Sequence, residues 1–250
     1  YKVRNHKRLM FPSRIASILG GGAGLQNNYS LEFDGTDDYV DCGSNPFSSI
    51  ASTDYTVSAW VNFPTLSGKT FDRILAGQVD SNNAIQLLYT TDGHSCAFQV
   101  LDAGTIRVKK LTSEPNTGTW IHLVGTWDSS ADTVAIYRNG IIEDGTYSGS
   151  EIGSGSTSGF NIGRRPDGTG PINANIDEVS IWNTALSAGS ISNIYNNGVP
   201  TDLLADSNSS NLQGWWRFEE GSGTSATDSS TNSNTGTLTN GPTYSTDVPS

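Results

Sequence analysis

Six tryptophans, Trp60, Trp120, Trp127, Trp182, Trp215 and Trp216, are the side chains of this sequence best suited to recognition chemistry. An indole face stacks on a sugar ring when amide and carboxylate groups lie beside it. The competing use is packing, since a strand tryptophan more often fills a core, so none of the six is singled out as a glycan contact. Catalytic chemistry finds less support. His6, His94 and His122 are scattered without ligand spacing, and there is no Gly-x-Ser-x-Gly elbow or phosphate loop. The glycine-rich stretch 20–24 precedes no helix and reads as a linker rather than an anion cradle. Cys42 and Cys96 match neither a disulfide framework nor a zinc site.

Charge divides the chain. Residues 1–14 carry Lys2, Arg4, Lys7, Arg8 and Arg14 and no acid, which leaves nine basic and 25 acidic residues, a net charge of −16, for the rest. So acidic a body argues against nucleic acid, because phosphate binding needs clustered Lys and Arg, and it suits cations and neutral sugars. The arm reads as a separate extension that docks on an acidic surface of a partner or of its own assembly. Its segment RLMFPSRIASI at 8–18 mixes basic groups with Phe11 and Ile15, as a peptide that orders on binding should. No stretch reaches the roughly 18 apolar residues of a membrane span. Residues 11–24 fail as a signal peptide because Ser13, Arg14 and Ser17 interrupt the apolar core.

Strands must position these groups. Hydrophobic residues make up 34% and charged residues 16%, and from residue 29 onward short apolar runs are separated by Gly, Ser, Thr and Asn, the pattern of one large β-sandwich. Strands are expected at 30–33, 38–41, 55–63, 72–77, 84–90, 95–101, 105–111, 119–127, 133–138, 141–147, 159–162 and 175–182. In 55–63, Tyr55, Val57, Ala59, Val61 and Phe63 alternate with Thr56, Ser58, Trp60 and Asn62, which marks a core strand with one apolar face. Asn139-Gly140 predicts a tight hairpin, because both residues tolerate positive φ. One helix is expected at 187–197, capped by Ser187, buried through Ile191, Ile194 and Tyr195, and ended by Gly198 and Pro200. Beyond the polar stretch 201–210, an aromatic strand at 213–219 should join the same sandwich, because Trp215, Trp216 and Phe218 would otherwise be left in water.

Five motifs in order, YSLEFDGTDDYVD at 29–41, YTVSAWV at 55–61, TWIHLVGTW at 119–127, YRNG at 137–140 and NIDEVSIWNTALS at 175–187, resemble the laminin-G-like domains of the concanavalin A-like lectin and glucanase superfamily. The resemblance implies an all-β, antiparallel jelly-roll sandwich, with 1–28 as arm and linker and 29–250 as a single domain. The tail GWWRFEEGSG at 214–223 resembles the segment that normally precedes the Phe33-Asp34-Gly35 strand. Residues 213–250 are therefore either a circularly permuted piece that closes the sandwich or the start of a second repeat, and the closeness of sandwich termini favours permutation.

Laminarinase-like relatives carry Glu-x-Asp-x-Glu on one strand, so that two acids flank the glycosidic bond. Here the run is Glu32-Phe33-Asp34-Gly35-Thr36, and Thr36 stands where the last acid is required, so no catalytic residue is assigned and a non-catalytic binding module is expected. Pentraxin relatives bind calcium through two loops that 80–83 and 164–168 resemble. This offers Asp80, Asn82, Asn83 and Asp167 as oxygen ligands, with Arg164, Arg165 and Pro166 replacing others. A second calcium arrangement joins Asp34 and Asp177, while turn-forming Asp and Asn explain the same loops without a metal. The pentraxin core disulfide would fall at Ser58 and Val124, where it cannot form. The role implied is a phage virion surface protein, a decoration, head fibre or tail adhesin, held on other virion proteins by its arm and facing host glycans. The alternative is a carbohydrate-binding or adhesive module of a secreted or cell-surface bacterial protein. Homo-oligomers suit either role, whereas nucleic acid and membrane insertion suit neither.

Overall fold

The computed structural model describes residues 25–43, 46–47, 50–66, 71–90, 95–147, 155 and 157–250. The arm residues Lys2, Arg4, Lys7, Arg8, Phe11, Arg14 and Ile15, together with His6 and His94, lie outside the described residues. Within them the chain forms strands β1 (Ser30–Asp34), β2 (Tyr39–Asp41), β3 (Tyr55–Asn62), β4 (Asp72–Asp80), β5 (Asn83–Thr90), β6 (Ser95–Asp102), β7 (Thr105–Lys110) and β8 (Trp120–Asp128). There follow β9 (Thr133–Arg138), β10 (Ile141–Glu143), β11 (Gly159–Ile162), β12 (Asn173–Trp182), β13 (Leu212–Trp216), β14 (Ser225–Ala226), β15 (Gly236–Thr239) and β16 (Thr243–Ser245), with one helix, α1 (Ala188–Tyr195), between β12 and β13. Sheet A has the order β10-β9-β8-β3-β12-β1-β16, with β13 also paired to β12, and sheet B the order β14-β15-β2-β11-β4-β5-β6-β7. The fold is the antiparallel jelly-roll sandwich expected from the sequence.

Period-two alternation decides which side chains enter the core. Val57, Ala59 and Val61 of β3 and Ala174, Ile176, Val179 and Ile181 of β12 face sheet B, where Phe98, Phe160 and Ile162 meet them. The fit is close enough to require a glycine: a Cβ on Gly125 of β8 would lie 2.1 Å from the Phe98 ring. Trp127 and Trp216 are buried between the sheets, and each indole N–H donates to a carbonyl, of Ile50 at 2.8 Å and of Asn234 at 2.9 Å. In β12 the alternation breaks. Its register with β3 shifts between Asp177 and Ser180, Glu178 has φ of 49°, and both carboxylates face away from the core.

Helix α1 lies on the outer face of sheet A, with Ile191 and Ile194 packed against Val124, Trp182 and Trp215. Ser187 caps it by accepting from the Ser190 N–H at 3.1 Å. Asn196, with φ of 45°, ends the helix two residues before the expected Gly198.

The tail completes both sheets. β13 pairs with β12, β16 with β1, and β15 with β2. The aromatic strand stops at Trp216, short of the expected 219, because Phe218 turns the chain with φ of 57°. Residues 25–28, read from sequence as linker, belong to the body. Leu25 packs against the α1 cluster, Asn27 Nδ2 donates to Asp177 Oδ2 at 2.9 Å, and Asn28 donates to Glu219.

Candidate functional site

Across sheet B, Asp41, Asn161, Ala76, Gln86 and Gln99 stand in one row on the outer face, because the neighbours of Asp41 and Asn161 along their strands, Val40, Phe160 and Ile162, point inward. At one end of that row Tyr39, Asp41, Asn161, Arg164 and Pro166 line an open groove of about 300 Å³. The Arg164 guanidinium lies 3.5 Å over the Tyr39 ring, and its Nε has no hydrogen-bond partner among the described residues. Asn161 Nδ2 donates to the Arg165 carbonyl at 3.4 Å, and the Asp41 carboxylate accepts from the Gly43 N–H at 2.8 Å. Further along, Arg73 Nε donates to Gln86 Oε1 at 3.1 Å, and burial lowers the Arg73 pKa to about 10, which leaves it charged at neutral pH. Ring face, cation, amide and carboxylate thus meet in one groove.

The residues offered for calcium are each engaged by neighbours within their own loops. Asp80 accepts from the Asn82 N–H at 2.7 Å and from Asn83 Nδ2 at 2.9 Å, while Asn83 Oδ1 accepts from the Ala103 N–H at 3.1 Å, so these groups tie the β4–β5 turn to the β6–β7 turn. Asp167 accepts from the Thr169 N–H and hydroxyl and has the Arg165 guanidinium at 3.2 Å. Burial alone would raise the Asp167 pKa, yet these partners hold it below the usual range. Arg165 thus balances the charge of Asp167.

The pairing of Asp34 with Asp177 is corrected. Leu31 is opposite Ile176, which puts Asp177 beside Ser30, four positions from Asp34 along β1, or roughly 13 Å. Asp34 instead clusters with Asp37 and Asp38. There it accepts from the Thr36 N–H at 2.7 Å, and Asp38 accepts from the Asp34 N–H at 3.1 Å, which is turn chemistry. β1 ends at Asp34 and Gly35 turns with φ of 74°, so Thr36 is off the strand as well as lacking a carboxylate.

Residues 34–192 match the model of the concanavalin A-like lectin/glucanases superfamily. The chain belongs to that superfamily. No curated protein matches the sequence. Among solved structures, a "putative carbohydrate binding protein" from Bacteroides ovatus has a TM-score of 0.64 at 21% identity, covering 90% of this chain and 62% of that one. This chain therefore spans less than two thirds of that relative. Domain 4 of AbnA, a GH43 extracellular arabinanase from Geobacillus stearothermophilus solved with arabinotriose, gives 0.51 at 20% identity, covering 67% of this chain and 76% of that domain. The heptameric SAP-like pentraxin of Limulus polyphemus gives 0.50 at 16% identity, covering 72% and 90%. At these identities the shared property is the fold.

In this member of the superfamily Ser58 and Val124, where the pentraxin disulfide would fall, are direct register partners and form no bond. Cys42 and Cys96 are free, and burial raises both thiols, which makes them poor nucleophiles. Under α1 the outer face of sheet A holds a buried polar layer. Ser58 Oγ and His122 Nε2 are 2.7 Å apart, the arrangement of a nucleophile and its base. The likeness ends there: His122 Nδ1 has no partner among the described residues, burial lowers its pKa to about 3, and the adjoining void of about 10 Å³ holds one water at most. Beside it, Glu178 accepts from Trp215 Nε1 at 2.6 Å and from Arg217 Nε at 3.1 Å. Burial first, and repulsion between carboxylates second, raise Asp177, and burial also raises Glu178 against the pull of Arg217.

Five of the six candidate tryptophans are buried, with Trp60 the most exposed of them at 4%, while Trp120 is half-buried. Sequence pattern alone does not single out the groove residues Tyr39, Asp41 and Asn161. Their signal was present as polar groups alternating with Val40, Phe160 and Ile162, but nothing local says that β2 and β11 are neighbours.

Proposed function

We propose that this chain is a non-catalytic carbohydrate-binding module whose glycan site is the sheet B groove at Tyr39, Asp41, Asn161 and Arg164. The observation that carries the reading is the meeting in one open groove of an aromatic ring, a guanidinium stacked on it, an amide and a carboxylate. A sugar needs such a mixture of ring face, donors and acceptors around a concave surface. Support comes from solved relatives of this fold, one described as carbohydrate binding and one solved with arabinotriose. The non-catalytic reading is supported by Asp34, the acid nearest to Glu32 on the same face of β1, being bound into its own turn.

A glycan array followed by calorimetric titration of the best hit tests the site. Tyr39→Ala and Arg164→Ala should each weaken binding about ten-fold or more, with little change in melting temperature. Undiminished affinity in both variants would move the site elsewhere, and release of reducing sugar from any arrayed glycan would overturn the non-catalytic reading. On this reading the module works outside a cell, on a virion or a bacterial surface, with the 1–24 segment as its anchor. Neighbouring capsid and tail genes would select the virion, and an attached catalytic domain the secreted protein.

A further inference from the structure

The geometry points to a second sugar-binding site, on the outer face of sheet A where α1 does not reach, which accepts the hydroxyls of a neutral sugar unit. It goes beyond the sheet B groove and stands on different residues. Glu32, Asn175 and Asn62 are register partners across β1, β12 and β3, with Trp120 next on β8. The tail brings Asp247 over this row. Its carboxylate accepts from Asn62 Nδ2 at 2.9 Å and from Trp120 Nε1 at 3.0 Å, and its carbonyl accepts from the Ser30 hydroxyl at 2.7 Å. Glu32, Asn62, Asn175 and Asp247, with Pro64 and Gly118, enclose a groove of about 310 Å³, far larger than an ion requires.

The hydrogen bonds decide the ligand chemistry. Asp247 takes the Asn62 amide donor and the Trp120 indole donor, which fixes the Asn62 amide with its oxygen unpaired. Asn62 is only 8% exposed, and Oδ1 has no partner among the described residues. A buried acceptor left unpaired is destabilising, so a ligand hydroxyl that donates to it recovers a lost bond. Around it stand the exposed Glu32 carboxylate and Asp247, so the groove is dominated by acceptors and carries negative charge. That set suits the adjacent hydroxyl donors of a neutral sugar and repels an acidic one. Glu32 and Asp247 both lie outside the 34–192 family match, so the site arises from the way the tail closes this particular sandwich. With grooves on opposite sheets, one chain could hold two glycan strands at once.

The intact ¹⁵N-labelled chain tests this. The Trp120 indole N–H signal, assigned with Trp120→Phe, is followed during separate titrations with arabinotriose, cellotriose and mannotriose. We expect a saturable shift with at least one of them, weakened about ten-fold in Glu32→Gln, where a charged acceptor is lost on an exposed side chain. Asn175→Ala is the second variant and should weaken the same shift. A Trp120 signal unmoved by all three sugars overturns the site, and so does a shift produced by calcium chloride or ethylammonium chloride but by no sugar. The backbone signals of Gly159 and Asn161 report separately from sheet B. Movement there with Trp120 still sinks the second site alone, and movement at Trp120 with those two still sinks the first alone.

Discussion

The two outer faces of the sandwich start from the same sequence rule and end differently. In both sheets alternation turns polar side chains outward, Ser58, His122 and Asp177 on sheet A, Tyr39, Asp41 and Asn161 on sheet B. On sheet A, α1, the segment around Asn27 and the tail lie over those groups, so most of them become a buried network. On sheet B the end of the row at Tyr39 and Arg164 stays open as a groove. An outward polar residue is therefore part of a buried network or of an open surface according to what crosses over it, and the cost of disturbing it should follow.

The largest effect tests the tail that closes both sheets. Trp216→Ala removes a fully buried indole from between them and should cost about 3–5 kcal/mol in urea denaturation. A loss below about 1 kcal/mol would mean that the tail is an accessory and that the covered face is not built as described. Next comes the buried ion pair. Arg217→Met leaves Glu178 without its cation and should cost about 2–4 kcal/mol.

The pH dependence separates groups within the covered face. Asp177 and Glu178 are raised above their ordinary values of 3.8 and 4.5, mainly by burial, so the folded state keeps protons that the unfolded chain has released. Their contribution is complete below those ordinary values and is lost as pH rises through the raised ones. His122 runs the other way: lowered from 6.5 to about 3, it contributes above pH 6.5 and loses that contribution as pH falls. Melting profiles should show Glu178→Gln flattening the decline toward neutral pH and His122→Gln flattening the acid limb. Each slope should change by about 1 kcal/mol per pH unit within its window. Unaltered slopes in both variants would show that water reaches this layer. The smallest stability effect belongs to the open face, where Arg164→Ala loses only its stacking on Tyr39 and should cost under about 1 kcal/mol in the same urea assay.

Much of the scaffold was legible locally. The hairpin followed from Asn139 and Gly140, which take φ of 53° and 77°, and the α1 N-cap from Ser187. The inward face of β3 followed from Val57, Ala59 and Val61. The strands β14 to β16 leave no local signal, because they are two to four residues long and mostly polar, too short to show a period. For the same reason nothing local separates Leu25 from a linker, since it is a single apolar residue whose partners lie across sheet A. Glu32, Asn62 and Asn175 each had the signature of an outward position, yet only sheet order makes them a row.

By itself the sequence determined the class of fold, the face that each long strand buries, and the absence of a third acid at Thr36, since all of these depend on residues a few positions apart. The tertiary structure alone decided that Asp34 and Asp177 stand apart, that Tyr39 meets Arg164, and that Asp247 reaches Asn62 and Trp120. The physical reason is range. Alternation is set by neighbours along one strand, whereas register and coverage come from pairings between segments as distant as β1 and β16, which only the packed sandwich brings together.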